Sequence, residues 1–210
     1  MMSDGEKRAF AIGIRYVLYI AVCIGALLLQ HFASSHFHDE TFSENGLVEN
    51  IQFLLLLASA IVFLAHGVIR PKFRTLLFLL SGLCALGCCR EMDNIMDRLI
   101  PVMSWRVGFL FVVAPAIWAL MRRKETLSAL ESFLRSRCFV KLCNAFTVIL
   151  VLGQLIGHRS YLKAVLVDMD HIGLVKEVIE ESVETIGYTM ILLASLESFL
   201  DLAAAKDAGE

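Results

Sequence analysis

Long apolar runs alternating with short polar ones organise this chain. Six of them read as membrane-spanning helices, at about 9–30, 47–69, 75–89, 102–121, 139–157 and 182–202. A helix that crosses roughly 30 Å of hydrocarbon needs about 20 apolar residues, and most of these runs approach that length. The first is too long for the core of a secretory signal peptide, although Lys7 and Arg8 precede it. Between the fourth and fifth runs, about 124–136 reads as a short interfacial helix. Leu127, Leu130, Phe133 and Leu134 form its apolar stripe, and basic residues flank both ends, a pattern suited to a membrane surface. The predicted fold class is all-α, an integral membrane bundle of six transmembrane helices in one domain over 1–210, without internal repeats.

Composition agrees. Hydrophobic residues make up 58% of the 210, charged residues 19%, and the mean hydropathy is +0.70. A soluble domain carries about a quarter charged residues. The net charge of −2 gives no argument for a nucleic-acid partner. The expected partners are the lipid bilayer and a lipid or ion ligand, with a homo-oligomer as an open alternative. The six cysteines all lie in or against apolar runs rather than in polar loops. Cys84, Cys88 and Cys89 interleave with Ser81, Gly82, Ala85 and Gly87, which reads as a tight helix contact built from small residues more than as a redox or metal pair.

Basic residues set the orientation. Twelve fall on one side of the six runs, from Lys7 and Arg8 through Arg122, Arg123, Lys124 and Lys141 to Lys206; six fall on the other. The positive-inside rule then predicts N-in and C-in, in a bacterial inner (plasma) membrane. Arg15, within the first run, reads as snorkelling to the inner face, with pairing to an internal acid as the alternative. Pro115 predicts a kink in the fourth helix, Gly153 and Gly157 a close packing face in the fifth, and Trp105 a place in the outer aromatic belt.

The candidate chemistry lies at the predicted outer ends of the helices. Glu49 opens the second run, Arg90, Glu91, Asp93 and Asn94 close the third, and Glu180, Glu181 and Glu184 open the last. Ionisable groups at membrane depth are costly and tend to face a wet interior. Glu180 and Glu181 read as acids at a helix start, where the macrodipole favours them, and Asn45 as a cap for the second helix. Glu49, Arg90, Glu91, Asp93, Asn94, Glu181, Glu184 and Tyr188 are the ligand- or ion-binding candidates. Arg90 would neutralise Glu49 or Glu184, or hold an anion such as a lipid phosphate. If the third helix continues, Arg90, Asp93, Asn94 and Asp97 share one stripe. The inner half reads as poor in polar groups. A weaker pattern is metallic: His36 and His38, with Glu49 and Glu184, could ligate a divalent metal, although no HExxH-type spacing is present.

Glu44-Asn45-Gly46-Leu47-Val48-Glu49, Arg90-Glu91-Met92-Asp93 and Glu180-Glu181-Ser182-Val183-Glu184 together resemble a group of uncharacterised bacterial polytopic membrane proteins. That group carries ENGxxE, REMD and EExxE helices and implies no particular activity. A more distant likeness is to the CREST membrane hydrolases, in which acidic second and third helices surround zinc. Glu49 and Asp93 would be the matching positions, while the paired histidines of that family's last helix have no counterpart here. The expected function is binding or transport of a cation, proton or lipid headgroup. The alternatives are a metal-dependent membrane hydrolase acting on a lipid or amide, and a membrane scaffold or assembly protein.

Overall fold

The computed structural model describes residues 3–37, 46–100, 104–153, 158 and 172–207. Every regular element among them is helical. In chain order they are α1 (Asp4–Phe37), α2 (Leu47–Ile69), α3 (Arg74–Glu91), α4 (Asp93–Leu99), α5 (Phe109–Met121), α6 (Arg123–Leu134), α7 (Arg137–Phe146) and α8 (Ile172–Asp207). Short 3-10 turns over Pro71–Phe73 and Ser104–Gly108 precede α3 and α5, and a π-helical stretch, Thr147–Gly153, continues α7.

Local chemistry accounts for several boundaries. Ser3 and Glu6 start α1 with a reciprocal cap, the Ser3 N–H donating to Glu6 at 2.7 Å and the Glu6 N–H to Ser3 Oγ at 3.3 Å. Pro71 opens the turn between α2 and α3, a position that loses nothing from its missing N–H. Ser136 caps α7 by accepting from the Phe139 N–H. Ser104 has a positive φ of 50°, an uncommon conformation for a residue with a side chain, and it turns the chain from α4 into α5.

The core lies among α2, α3, α7 and α8, around Leu56, Phe63, Leu77, Leu142, Ile191 and Ala194. α2 and α3 pack along their lengths as a hairpin, and α8 lies against α2 and α7. α1 packs only against α8 to any extent and leaves Phe10, Val17, Leu18, Ile20 and Leu28 exposed. Small residues allow the closest crossings. A Cβ on Gly82 would run into the carbonyl group of Phe111 on α5, and one on Gly187 into the side chain of Ile149.

Five helical segments are long and apolar enough to cross a membrane: Gly5–Ala33, Leu47–Ile69, Pro71–Glu91, Ser104–Met121 and Val175–Leu200. The predicted interfacial helix and the fifth predicted run meet at a sharp bend at 135–136. Residues 123–134 and 137–153 pass the same test only as a pair bent by 82°, which brings the number to six if the pair counts as one span. The predicted surface stripe of α6 also divides. Phe133 and Ala129 are buried in the bundle and Leu130 packs on the core, while Leu127 and Leu134 point outward. Gly157, half of the predicted packing pair, lies outside the described residues. Gly153 is buried near Val183.

The α3–α5 crossing is therefore sensitive at one position. Because the group in the way is backbone, Gly82→Ala is expected to cost about 1–3 kcal/mol, measured as loss of detergent stability, whereas Ala85→Gly should cost less.

Candidate functional site

The third helix stops at Glu91. Met92 leaves helical geometry (φ −111°, ψ 28°), and α4 begins at Asp93. The predicted continuous stripe is thus broken. Glu91 turns into the bundle and the exposed Arg90 reaches across to α8, whereas Asp93 is exposed and accepts a hydrogen bond from the Asn94 N–H, and Asn94 is half-buried on α4. The break has a physical basis, because Arg90 and Glu91 are both tied to α8.

Arg90 Nη2 donates to Glu184 Oε2 at 2.8 Å and to the Tyr188 hydroxyl at 3.0 Å, and Nε donates to Glu91 Oε1 at 3.1 Å. The Tyr188 hydroxyl in turn donates to Glu91 Oε1 at 2.7 Å. The spacing of Glu184 and Tyr188, one helical turn apart, makes this possible. The carboxylates are the buried members, with side chains 7% and 16% exposed for Glu91 and Glu184, and the guanidinium is the outer one at 49%. Nη1 makes no hydrogen bond among the described residues. Arg90 also sits at the C-terminus of α3, where a cation suits the helix dipole.

Beside this clamp is a cavity of about 260 Å³. Its walls are almost wholly apolar, from Leu56, Phe63, Leu86, Ile149 and Ile191 among others, and Arg90, Tyr188 and Trp105 supply its polar groups. Leu83 and Leu150 line it and are exposed, so it opens sideways, toward the surface a bilayer would cover. Trp105 thus lines the cavity mouth rather than serving only as a belt residue.

The remaining acids are placed differently from expectation. α8 is helical from Ile172, so Glu180 and Glu181 lie two turns inside it and do not cap its start. Glu180 pairs with Lys176 at 2.6 Å. Glu181 accepts from Gln52 Nε2 at 2.7 Å and lies within electrostatic range of Glu184, Glu91 and Glu49. Glu49 is half-buried in the first turn of α2. Asn45 lies outside the described residues, and the residue at the N-cap is Gly46.

The metal pattern gains nothing here. Among the described residues no three His, Cys, Asp or Glu side chains gather as metal ligands. Glu184 is engaged by Arg90. His38 and the side chain of His36 lie outside the described residues. The six cysteines are free thiols, and Cys84, Cys88 and Cys89 are buried as packing residues.

A second polar cluster lies at the opposite end of the bundle, which the sequence pattern predicts to be poor in polar groups. Glu197, 1% exposed, accepts from Arg15 Nη1 at 3.2 Å, from Lys141 Nζ at 2.9 Å and from the Tyr19 hydroxyl. Lys141 also sits over the rings of Tyr16 and Tyr19, at 4.6 and 4.2 Å from their centroids. Arg15 therefore pairs with a buried acid instead of snorkelling, and Lys141 belongs to the interior, not to the flanking basic residues. Nearby, His66 Nδ1 lies 2.9 Å from Ser198 Oγ and the imidazole stacks on Phe199. Since Ser198 Oγ donates to the Ser195 carbonyl, Nδ1 is the donor to Ser198. The rule that flagged Glu184 also applied to Glu197, a lone acid between Leu196 and Phe199-Leu200; the opposite charge at Arg15 was its partner signal.

Comparison of the chain with known protein families, curated proteins and solved structures finds no match.

The Glu197 cluster yields a prediction about stability. Removing one member of a buried ion pair leaves the other charge stranded and costs about 3–5 kcal/mol, whereas replacing both can be close to neutral. Glu197→Leu is expected to be strongly destabilising, and Lys141→Met on the same background to recover part of the loss. Detergent melting curves of the two single variants and the double variant check this.

Proposed function

We propose that this is a six-span membrane protein, N-in and C-in, of a bacterial inner membrane, and that its outer-end pocket binds a phospholipid-like amphiphile. The hydrocarbon portion occupies the cavity between α3, the π-helical stretch and α8. The phosphate meets Arg90 at the mouth. One observation carries the reading: the lone charged residue lining an otherwise apolar, sideways-open cavity is an arginine fixed by three neighbours, with one end of its fork unused.

The chemistry fits that occupant. A guanidinium presents paired N–H groups suited to phosphate oxygens. The bonds to Glu91, Glu184 and Tyr188 fix its orientation before anything binds, which reduces the ordering cost of association. Two carboxylates outnumber the one guanidinium, so a purely anionic headgroup would be opposed. A zwitterion satisfies both signs, with its phosphate on Nη1 and its ammonium toward Glu184. A hydrolase acting on such an amphiphile would need a further set of reactive groups at the mouth, and the amphiphile reading requires none.

The topology is tested by reporter fusions after Asp207: a fluorescent protein that folds only inside should shine there, and a periplasmic phosphatase should be inactive. For the ligand, native mass spectrometry of protein extracted in mild detergent should show retained phosphatidylethanolamine. Arg90→Gln should lower occupancy by about tenfold or more, roughly the loss of one charge-assisted hydrogen bond, and Leu150→Trp, which fills the mouth from an exposed position, should lower it by excluding the chain. Retention equal to wild type in both variants would contradict the reading.

A further inference from the structure

Two buried side-chain oxygens next to the Arg90 clamp have no partner. Gln30 on α1 and Gln52 on α2 are 3% and 0% exposed, and their Oε1 atoms accept no hydrogen bond. Their amide nitrogens are engaged. Gln30 Nε2 donates to Thr185 Oγ1 at 2.9 Å, and Gln52 Nε2 lies 3.1 Å from the same oxygen and 2.7 Å from Glu181 Oε2. Gln52 Nε2 also reaches the Glu181 backbone carbonyl at 3.1 Å. With three acceptors around that nitrogen, the orientation of the Gln52 amide is fixed by its surroundings.

One threonine hydroxyl thus holds both amides, and each carbonyl oxygen stays beside its own nitrogen. Each orphaned oxygen thus belongs to an amide anchored on Thr185 Oγ1, and the Gln52 amide also holds Glu181. Glu181 makes no ion pair among the described residues, since Arg90 serves Glu91 and Glu184 and Lys176 serves Glu180. Everything missing from this cluster is of one kind: positive charge or hydrogen-bond donors. Buried acceptors rarely go without a partner, and the half-buried Glu181 carboxylate is stabilised by a counter-charge.

We infer that Gln30 Oε1, Gln52 Oε1 and the Glu181 carboxylate form a binding site for a monovalent alkali cation, with Thr185 as the positioning residue. All three ligands are hard oxygens, as such ions require. One carboxylate without a cationic partner sets the charge at one. Thr185 is excluded as a ligand because its oxygen already accepts from both amides. The site joins α1, α2 and α8, so occupancy would tie α1 to the bundle at this end. It is separate from the amphiphile cavity, whose lining contains none of these residues.

The test is the thermal midpoint of detergent-purified protein in NaCl, KCl and choline chloride at one ionic strength. Binding to the folded state raises the midpoint with ligand concentration, so a saturable rise of several degrees is expected with sodium or potassium and none with choline. The rise should vanish in Glu181→Gln, and in Thr185→Val, which keeps the volume but releases both amides. Arg90→Gln should retain it. Retention of ²²Na⁺ by wild type but not by Thr185→Val would support the site even if Glu181→Gln fails to fold. Identical wild-type midpoints in all three salts, with no ²²Na⁺ retained, would overturn it in favour of a buried water alone.

Discussion

Polar side chains on α8, each requiring a partner inside an apolar bundle, set the arrangement of the other helices. In a bilayer the hydrophobic effect does not drive helices together, so packing and interhelical hydrogen bonds must do so. α8 supplies those bonds at successive levels. Thr185 engages Gln30 of α1 and Gln52 of α2, Glu184 and Tyr188 engage Arg90 of α3, and Glu197 engages α1 and α7 together. Glu184 and Glu197 are thirteen residues apart, which at 1.5 Å per residue places the two ion-pair clusters about 20 Å from one another. α1 depends most on this arrangement. Its apolar face is largely exposed, and it is held by polar contacts at two levels, Arg15 and Gln30.

The same arrangement prepares the pocket. Arg90 could not stand at the edge of an apolar cavity if Glu91, Glu184 and Tyr188 did not hold it, because a mobile guanidinium would seek water. The break after Glu91 and the π-helical turn at Thr147–Gly153 shape the space beside it. π-helical turns are frequent at functional sites. Here the stretch brings Ile149 onto Gly187 and leaves room next to Leu150, where the cavity opens.

Much of the fold could be read from hydrophobic run length, because α2, α3 and α8 are long apolar helices bounded by polar residues. The break before the fifth run was legible as well, in the polar Arg135-Ser136-Arg137 step, but the 82° angle across it was not, because a pattern of polar and apolar residues does not set the angle between successive helices. The Arg90 site was legible in Arg90, Glu91, Glu184 and Tyr188 through charge at the ends of apolar runs. Asp93 and Asn94 carried the same signal but fell beyond the helix break, a feature set by tertiary contacts to α8. Gln30, Gln52 and Thr185 escaped because uncharged polar residues are common in membrane helices, and only their meeting on three different helices distinguishes them. Glu197 and Lys141 escaped for another reason: positions near a span's end invite a surface interpretation, and only the partners Arg15 and Tyr19 reveal burial.

The central claim, that hydrocarbon enters the cavity bounded by Arg90, Trp105 and Tyr188, is tested most directly by photocrosslinking in membranes. A phosphatidylethanolamine carrying a diazirine in its acyl chain, followed by peptide mass mapping, should label Leu83, Leu86, Trp105 and Leu150 above all other positions. Labelling spread evenly over the exposed apolar residues of α1 and α5, with no excess at those four, would contradict it.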